Sequence, residues 1–456
     1  MLYSAVALDR RAPMSADVRL TRRGFTLGLG SLSATWLAAP RTPAVEPAVA
    51  PPVPRNVAGS DELKLLGPEL VSILRRHVEL DYMPGAVAVV ARGNSEEVVV
   101  VGDQARGLQA PMRTDNIFRI ASMTKPVTAV AAMMLIDERR LRLQDPIERW
   151  LPELGNRRVL REIGAALDDT VRASRPITVE DLLTCRCGLG ILLAPPDTYP
   201  IQRRIAELQL VGFGPPDPGS SLPPDEWLKR LGTLPLMAQP GEQWLYNTSA
   251  YILGVLLARM AATSLPDLLR RRIFEPLGMK DTGFFVPPSQ SSRLVSAYRL
   301  EAGRPVLYDN PADSPWQKAP VFPDGGAGLV STADDYLAFS RFLLARGRVI
   351  GRTLLSEGAV DAMTRNQLTP AQRAGGEAIL GSGRGWGFGM SVVTQSGPAR
   401  PPAGCYGWNG GLGTSWLADP RSGRSVIVLT QTLFTSPAPP VLHQEIWRAV
   451  FAPSVV

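Results

Sequence analysis

The strand-forming sequence of this chain lies at its two ends, and that distribution restricts the fold more than any other feature. Ala86-Val87-Ala88-Val89-Val90-Ala91 is an unbroken apolar run of strand length after a Pro84-Gly85 break. Val98–Val101 follows across a short polar turn, which predicts an antiparallel hairpin in a buried sheet. The other strand-like stretches, Gly387–Val393, Thr414–Ala418 and Ser425–Thr430, come near the opposite end. A single sheet must therefore pair the first and last thirds of the chain, leaving the middle as an excursion. Where that middle is periodic it is helical, over Val127–Arg140, Tyr251–Ala262 and Pro266–Phe274. Asp61–Leu80, with Leu66, Leu70, Ile73, Leu74 and Val78 at three- and four-residue steps, reads as an amphipathic helix, and Val441–Phe451 as a closing one. The expected class is α/β in the α+β sense, an antiparallel sheet flanked by helices with a mainly helical subdomain inserted in the middle. In a domain of residues 60–456, the α/β lobe takes about 60–120 and 320–456 and the helical lobe about 121–319.

Composition narrows the function. The 456 residues are 45% hydrophobic and 20% charged, enough for a sizeable core. Of the formal charge of +7, residues 1–50 contribute +3, six arginines against Asp9, Asp17 and Glu46, which leaves +4 for the rest. No Lys/Arg cluster remains to track a phosphate backbone, which argues against nucleic acid as a partner. His77 and His443 are the only imidazoles, so a multi-His metal centre is excluded and a Ser-His-Asp site disfavoured. Cys185 and Cys187 are half a zinc site without a second half; they read as small loop residues, free or bonded to each other or to Cys405. Neither a metal nor an organic cofactor is expected.

Thr21-Arg22-Arg23-Gly24-Phe25-Thr26-Leu27 precedes an apolar run from Leu27 to Ala39, and Pro and Ala dominate as far as Pro54. This resembles a twin-arginine signal peptide with a Pro/Ala-rich linker over residues 1–50. It implies export by the twin-arginine route to the periplasm or the medium. The run is too short and too polar for a permanent membrane span. Between Leu189 and Gly241 the sequence is dense in Pro and Gly and cannot form continuous regular structure, so it is expected as a pocket wall, a lid or a surface insertion.

Ser122-Met123-Thr124-Lys125 places a hydroxyl and an amine three residues apart at the start of a helix, on one face and within reach. Cations in this chain are overwhelmingly arginine, yet this position is lysine. Only an amine can be tuned toward neutrality by burial and act as a base. Ala121–Ala132 carries no other charge, so Lys125 must be buried or paired. Pro126 is tolerated only in a first turn, which sets the helix start near Ser122 and leaves its backbone N–H as an orphan donor suited to an oxyanion. Tyr246, in Trp244-Leu245-Tyr246, could on its own be core.

Three ordered motifs carry a resemblance. Phe118-Arg119-Ile120-Ala121-Ser122-Met123-Thr124-Lys125-Pro126, then Tyr246-Asn247-Thr248-Ser249-Ala250-Tyr251 after Pro240-Gly241, then Trp408-Asn409-Gly410-Gly411, look like those of the serine beta-lactamase and penicillin-binding protein superfamily. More narrowly they resemble its class C beta-lactamase-like esterases. Ile177–Thr184, Glu275–Met279 and Gly328–Tyr336 are also similar to that family. The resemblance implies a beta-lactamase-like fold and a serine hydrolase in which Ser122 attacks an acyl carbonyl. Lys125 and Tyr246 would share the proton work, water would release the acyl-enzyme, and the N–H groups of Ser122 and Gly411 would hold the oxyanion. Thr248, Trp408 and Gly410 would meet the substrate.

Two departures bear on the substrate. Lactamases and peptidases of the superfamily carry a lysine where Trp408 stands, and an Asn where Thr248 stands. Losing the cation and the amide tilts the expectation from beta-lactams and peptides toward esters with an uncharged acyl portion. The alternatives are a beta-lactamase or D-Ala-D-Ala carboxypeptidase, acting on a small-molecule lactam or peptide, and a non-catalytic binding or structural member of the fold.

Overall fold

The computed structural model describes residues 61–397 and 400–451, with the expected signal and linker outside that range. Helix α1 (Asp61–Glu79) leads into the hairpin of β1 (Gly85–Arg92) and β2 (Ser95–Gly102). The excursion contains helices α2 (Thr124–Asp137), α3 (Thr248–Ala261) and α4 (Ala333–Leu344). Strands β3 (Arg384–Trp386), β4 (Ser391–Val393), β5 (Tyr406–Gly410), β6 (Thr414–Asp419) and β7 (Arg424–Thr430) follow, and α5 (Val441–Phe451) closes the chain. All seven strands form one antiparallel sheet in the order β3-β4-β5-β6-β7-β1-β2. The two chain ends meet in the β1–β7 pairing, from Ala86 opposite Thr430 to Arg92 opposite Arg424.

Helices cover both faces, and this explains why β1 is apolar throughout instead of alternating. Ala86, Ala88 and Val90 pack with Leu70 and Leu74 of α1 and Leu442, Ile446 and Trp447 of α5. Val87, Val89 and Ala91 face the other way, into a larger core with Val127 and Val130 of α2 and Phe339 of α4. A period-two strand carries both sets only if every position is apolar. His77 joins the two outer helices: its Nε2 lies 2.8 Å from Glu445 Oε2, beside an Arg76 Nη2 bond of 2.7 Å to the same oxygen.

One expectation is corrected, and two segments gain detail. Gly387–Val393 is not one strand but the turn and second arm of the β3–β4 hairpin, because Gly389 takes φ +79° and reverses the chain. The Trp408 segment is itself strand β5. The Pro/Gly-rich stretch contains two short helices, Pro200–Glu207 and Pro224–Gly232, each with proline in its first turn, where the missing N–H costs nothing. The phrases Ile177–Thr184 and Gly328–Tyr336 mark helix starts. Thr178 and Thr332 are N-caps whose hydroxyls accept from the N–H groups of Asp181 and Asp335.

Candidate active site

Ser122 lies in a single 3-10 turn, Ala121–Met123, that feeds directly into α2. Ala121 before it takes φ +43°, a strained value for a residue with a Cβ. The turn is tied down from several sides. Ile120 N–H donates to Leu329 O at 3.0 Å, the Tyr336 hydroxyl donates to Met123 O at 2.9 Å, and Thr124 Oγ1 accepts from Leu329 N at 3.1 Å.

Lys125 projects from the first turn of α2 and is 2% exposed. Its Nζ lies 3.1 Å from Ser122 Oγ, 2.6 Å from Asn247 Oδ1 and 2.8 Å from Gly326 O. It also sits 4.5 Å from the centre of the Tyr246 ring. Burial pushes the amine down from 10.5 to about 8, against the opposing pull of the Asp324 carboxylate and the Cys185 sulfur. Two of its three partners are carbonyl-type oxygens that can only accept. An amine that has lost a proton keeps two N–H bonds for those oxygens, and its lone pair then faces Ser122 Oγ.

Asn247 is the residue that sequence reasoning missed. The resemblance aligns Thr248 with the usual amide position, but the Thr248 hydroxyl is fully buried and donates to Gly212 O at 2.9 Å. The amide comes from the preceding residue. Asn247 holds φ +91° and ψ −63° to turn its Oδ1 onto Lys125, while its Nδ2 donates to Gly212 O at 3.2 Å and Gly214 O at 3.3 Å. The available signal was an Asn beside the motif tyrosine; the backbone twist that brings it in is tertiary.

Tyr246 and Trp408 meet at one end of the cavity. Trp408 Nε1 donates to the Tyr246 hydroxyl at 2.7 Å, within an aromatic cluster that includes Trp244 and Trp386. Where the resemblance leads one to expect an ammonium, the chain supplies an indole N–H. Gly411 lines the cavity next to Asn409, and its carbonyl accepts from Phe434 N at 2.9 Å, which orients the loop between β5 and β6. Gly410 serves packing: a Cβ there would lie 2.2 Å from Ile120 O, so glycine lets β5 press against the strand-like approach to Ser122. The remaining walls are Ile191, Gly214, Pro215, Pro216, Ala327, Ile379, Phe434, Ser436 and Pro437. Part of the Pro/Gly-rich stretch is thus a pocket wall.

Among the described residues, no group of His, Cys, Asp and Glu side chains is placed to hold a metal ion. Cys185, Cys187 and Cys405 are all free and buried, Cys185 against Trp244 and Tyr246. His443 is buried in α5, and its ring packs on Phe434 and Trp447. No single helix among the described residues is long and apolar enough to cross a membrane.

An antiparallel sheet backed by helices, with a serine hydroxyl against a buried lysine at the mouth of an internal helix, defines a serine hydrolase. The sequence matches the Beta-lactamase family over residues 71–451, and the chain belongs to that family. It is 38% identical over 368 residues to Protein Rv1367c of Mycobacterium tuberculosis, covering 78% of this chain and 88% of that protein. Esterase EstB of Burkholderia gladioli is 30% identical over 382 residues, with coverage of 78% and 88%. Among solved structures, EstCE1, a hydrolase with promiscuous acyltransferase activity, superposes with a TM-score of 0.72 at 27% identity, over 86% of this chain and 100% of that one.

Proposed function

We propose that the protein is an exported carboxylesterase that works through an acyl-enzyme on Ser122, with Lys125 as general base and Tyr246 as general acid. The observation that carries this reading is the Lys125 amine, buried, 3.1 Å from Ser122 Oγ and lowered to about 8. In acylation Ser122 Oγ bonds to the ester carbonyl carbon and its proton passes to Nζ. The N–H groups of Ser122 and Gly411 receive the oxyanion. As the C–O bond breaks, the Tyr246 hydroxyl proton goes to the leaving alkoxide, and the phenolate, held by the Trp408 N–H, is reprotonated from Lys125. Water then attacks the acyl-enzyme by the reverse proton route and frees the acid.

The walls favour an ester with an uncharged acyl portion over a lactam or peptide. Among the described residues lining the cavity there is no Asp, Glu, Lys or Arg. A substrate carboxylate buried there would lack a counter-charge, at a cost of several kcal/mol. The Asn247 amide nitrogen is committed to two backbone carbonyls, so it is not offered to a substrate amide. The relative named as an esterase, EstB, supports the same side. Export rests on the Arg22-Arg23 segment, which lies before the matched region.

The test is p-nitrophenyl butyrate turnover by the mature protein against Ser122→Ala. At least a hundredfold loss in the variant is expected; equal rates reject the proposal, and saturable nitrocefin hydrolysis without ester turnover selects the lactamase alternative. Export is checked by fractionation: replacing Arg22 and Arg23 with Lys should strand the protein in the cytoplasm.

A further inference from the structure

Lys125 is held by more than its neighbours in the three motifs. Its third acceptor, Gly326 O, belongs to a turn organised by Asp324, whose Oδ1 accepts from Gly326 N at 2.6 Å and Ala327 N at 3.0 Å. The following peptides are anchored as well: Thr128 Oγ1 on α2 donates to Gly325 O at 2.7 Å. A Cβ at Gly326 would lie 2.7 Å from the Tyr251 ring and 3.2 Å from Asp324 Oδ1, so the turn has no room for any other residue. The second carboxylate oxygen is buried, and the Tyr251 hydroxyl of α3 lies beside the same carboxylate.

We propose that Asp324 is the positioning residue for Lys125: its carboxylate fixes the Gly326 carbonyl that orients the amine, and its negative charge sets how readily the amine gives up a proton. This rests on the acyl-enzyme reading above. The groups facing the amine are Ser122 from the 3-10 turn, Cys185, the pair Tyr246 and Asn247 from the residues just before α3, and Asp324 itself. Of these Asp324 is the carboxylate. Burial raises it to about 6, so it is ionised at neutral pH, where it favours the ammonium. The arrangement is a balance: burial drives Lys125 toward the neutral amine that a base requires, and Asp324 holds it back far enough to keep the three hydrogen bonds.

Asp324→Asn separates the two roles, because the asparagine Oδ1 still accepts from the turn while the charge is gone. The rate of Ser122 labelling by a fluorophosphonate, read against pH alongside ester kcat/KM, should show its rising limb moved to lower pH by about one unit. Asp324→Ala, which loses the turn as well, should lower kcat about 10- to 100-fold with little change in KM. An Asp324→Asn limb that superimposes on the wild type overturns the inference. Should that variant fail to fold, Asp324→Ser, which removes the charge and keeps an oxygen that can accept from the turn, must move the limb in the same direction, and an unmoved limb there overturns it equally. Wild-type protein that neither labels at Ser122 nor turns over esters sinks the esterase reading instead. Labelling that depends on Ser122 with an unmoved limb sinks the role of Asp324 alone.

Discussion

A lysine can serve as a base only to the extent that it is neutral, and at this site burial supplies that condition. With the amine lowered to about 8 by desolvation, roughly a tenth of it is neutral at pH 7. Ester hydrolysis should therefore climb with pH and level off above about 8. Lys125→Arg keeps the charge and nearly the length but has no accessible neutral form, so kcat/KM should fall by at least about 100-fold at every pH. A pH–rate profile of both proteins checks this, and residual activity of the arginine variant with the same limb would assign the proton transfer elsewhere. Strain accompanies the chemistry: Ala121, next to Ser122, at φ +43° and Asn247, a partner of the amine, at φ +91° are each worth on the order of 1–3 kcal/mol. Such strain persists only where the surrounding bonds over-determine it. At Asn247 those bonds run to Lys125, Gly212 and Gly214.

Helix α2 is the element that converts chain topology into a site. It is buried from Thr124 to Leu135, so it has no solvent-facing side on which a lysine could extend into water. Its first turn is gripped by the 324–329 segment on one side and the β3–β4 turn on the other. At Gly389 that second contact is at its limit: a Cβ would lie 2.3 Å from Ala129 Cβ and 3.0 Å from Lys125 O, at a φ of +79° that disfavours any other residue. Gly389→Ala should therefore destabilise the protein by about 2–4 kcal/mol and displace the start of α2. Urea unfolding measures the first effect and loss of kcat at retained secondary structure the second. A variant that is both as stable and as active as the wild type would show that this approach is looser than the contact distance implies.

At the scale of the molecule, the sheet is sealed on both faces, and burial of polar groups in those layers links stability to pH. His443 on α5 is fully buried, with its ring centre 5.3 Å from that of Phe434, a wall of the cavity, and 6.4 Å from that of Trp447. Desolvation, with a smaller contribution from His77, lowers it from 6.5 to about 3. The folded state thus requires the neutral ring, while the unfolded chain takes up a proton below 6.5. The stability due to that neutral burial is fully present above pH 6.5 and is lost as pH falls toward 3, about 2 kcal/mol by pH 5. His443→Phe should flatten the acid side of the stability curve over that window. Urea midpoints at pH 7 and pH 5 test it, and an equal drop in both proteins would assign the acid sensitivity to carboxylates elsewhere.

The sequence by itself determined the centre of the sheet, because a strand sealed on both faces must be apolar at every position, and Ala86–Ala91 and Val426–Leu429 are. It determined the hydroxyl–amine pair for a similarly local reason: three residues on a helix bring side chains together whatever the rest of the chain does. The same reasoning lost Gly387–Val393, where a glycine reversal looks like a continuing strand, and it passed over Asn247 and Asp324. Their roles come from contacts that span the chain, 122 residues between Lys125 and Asn247 and 201 between Lys125 and Gly326. Which neighbour of a motif tyrosine turns inward depends on a backbone angle that no propensity favours. Only the packing of α3 against α2 and of the 324–329 turn against both decided it.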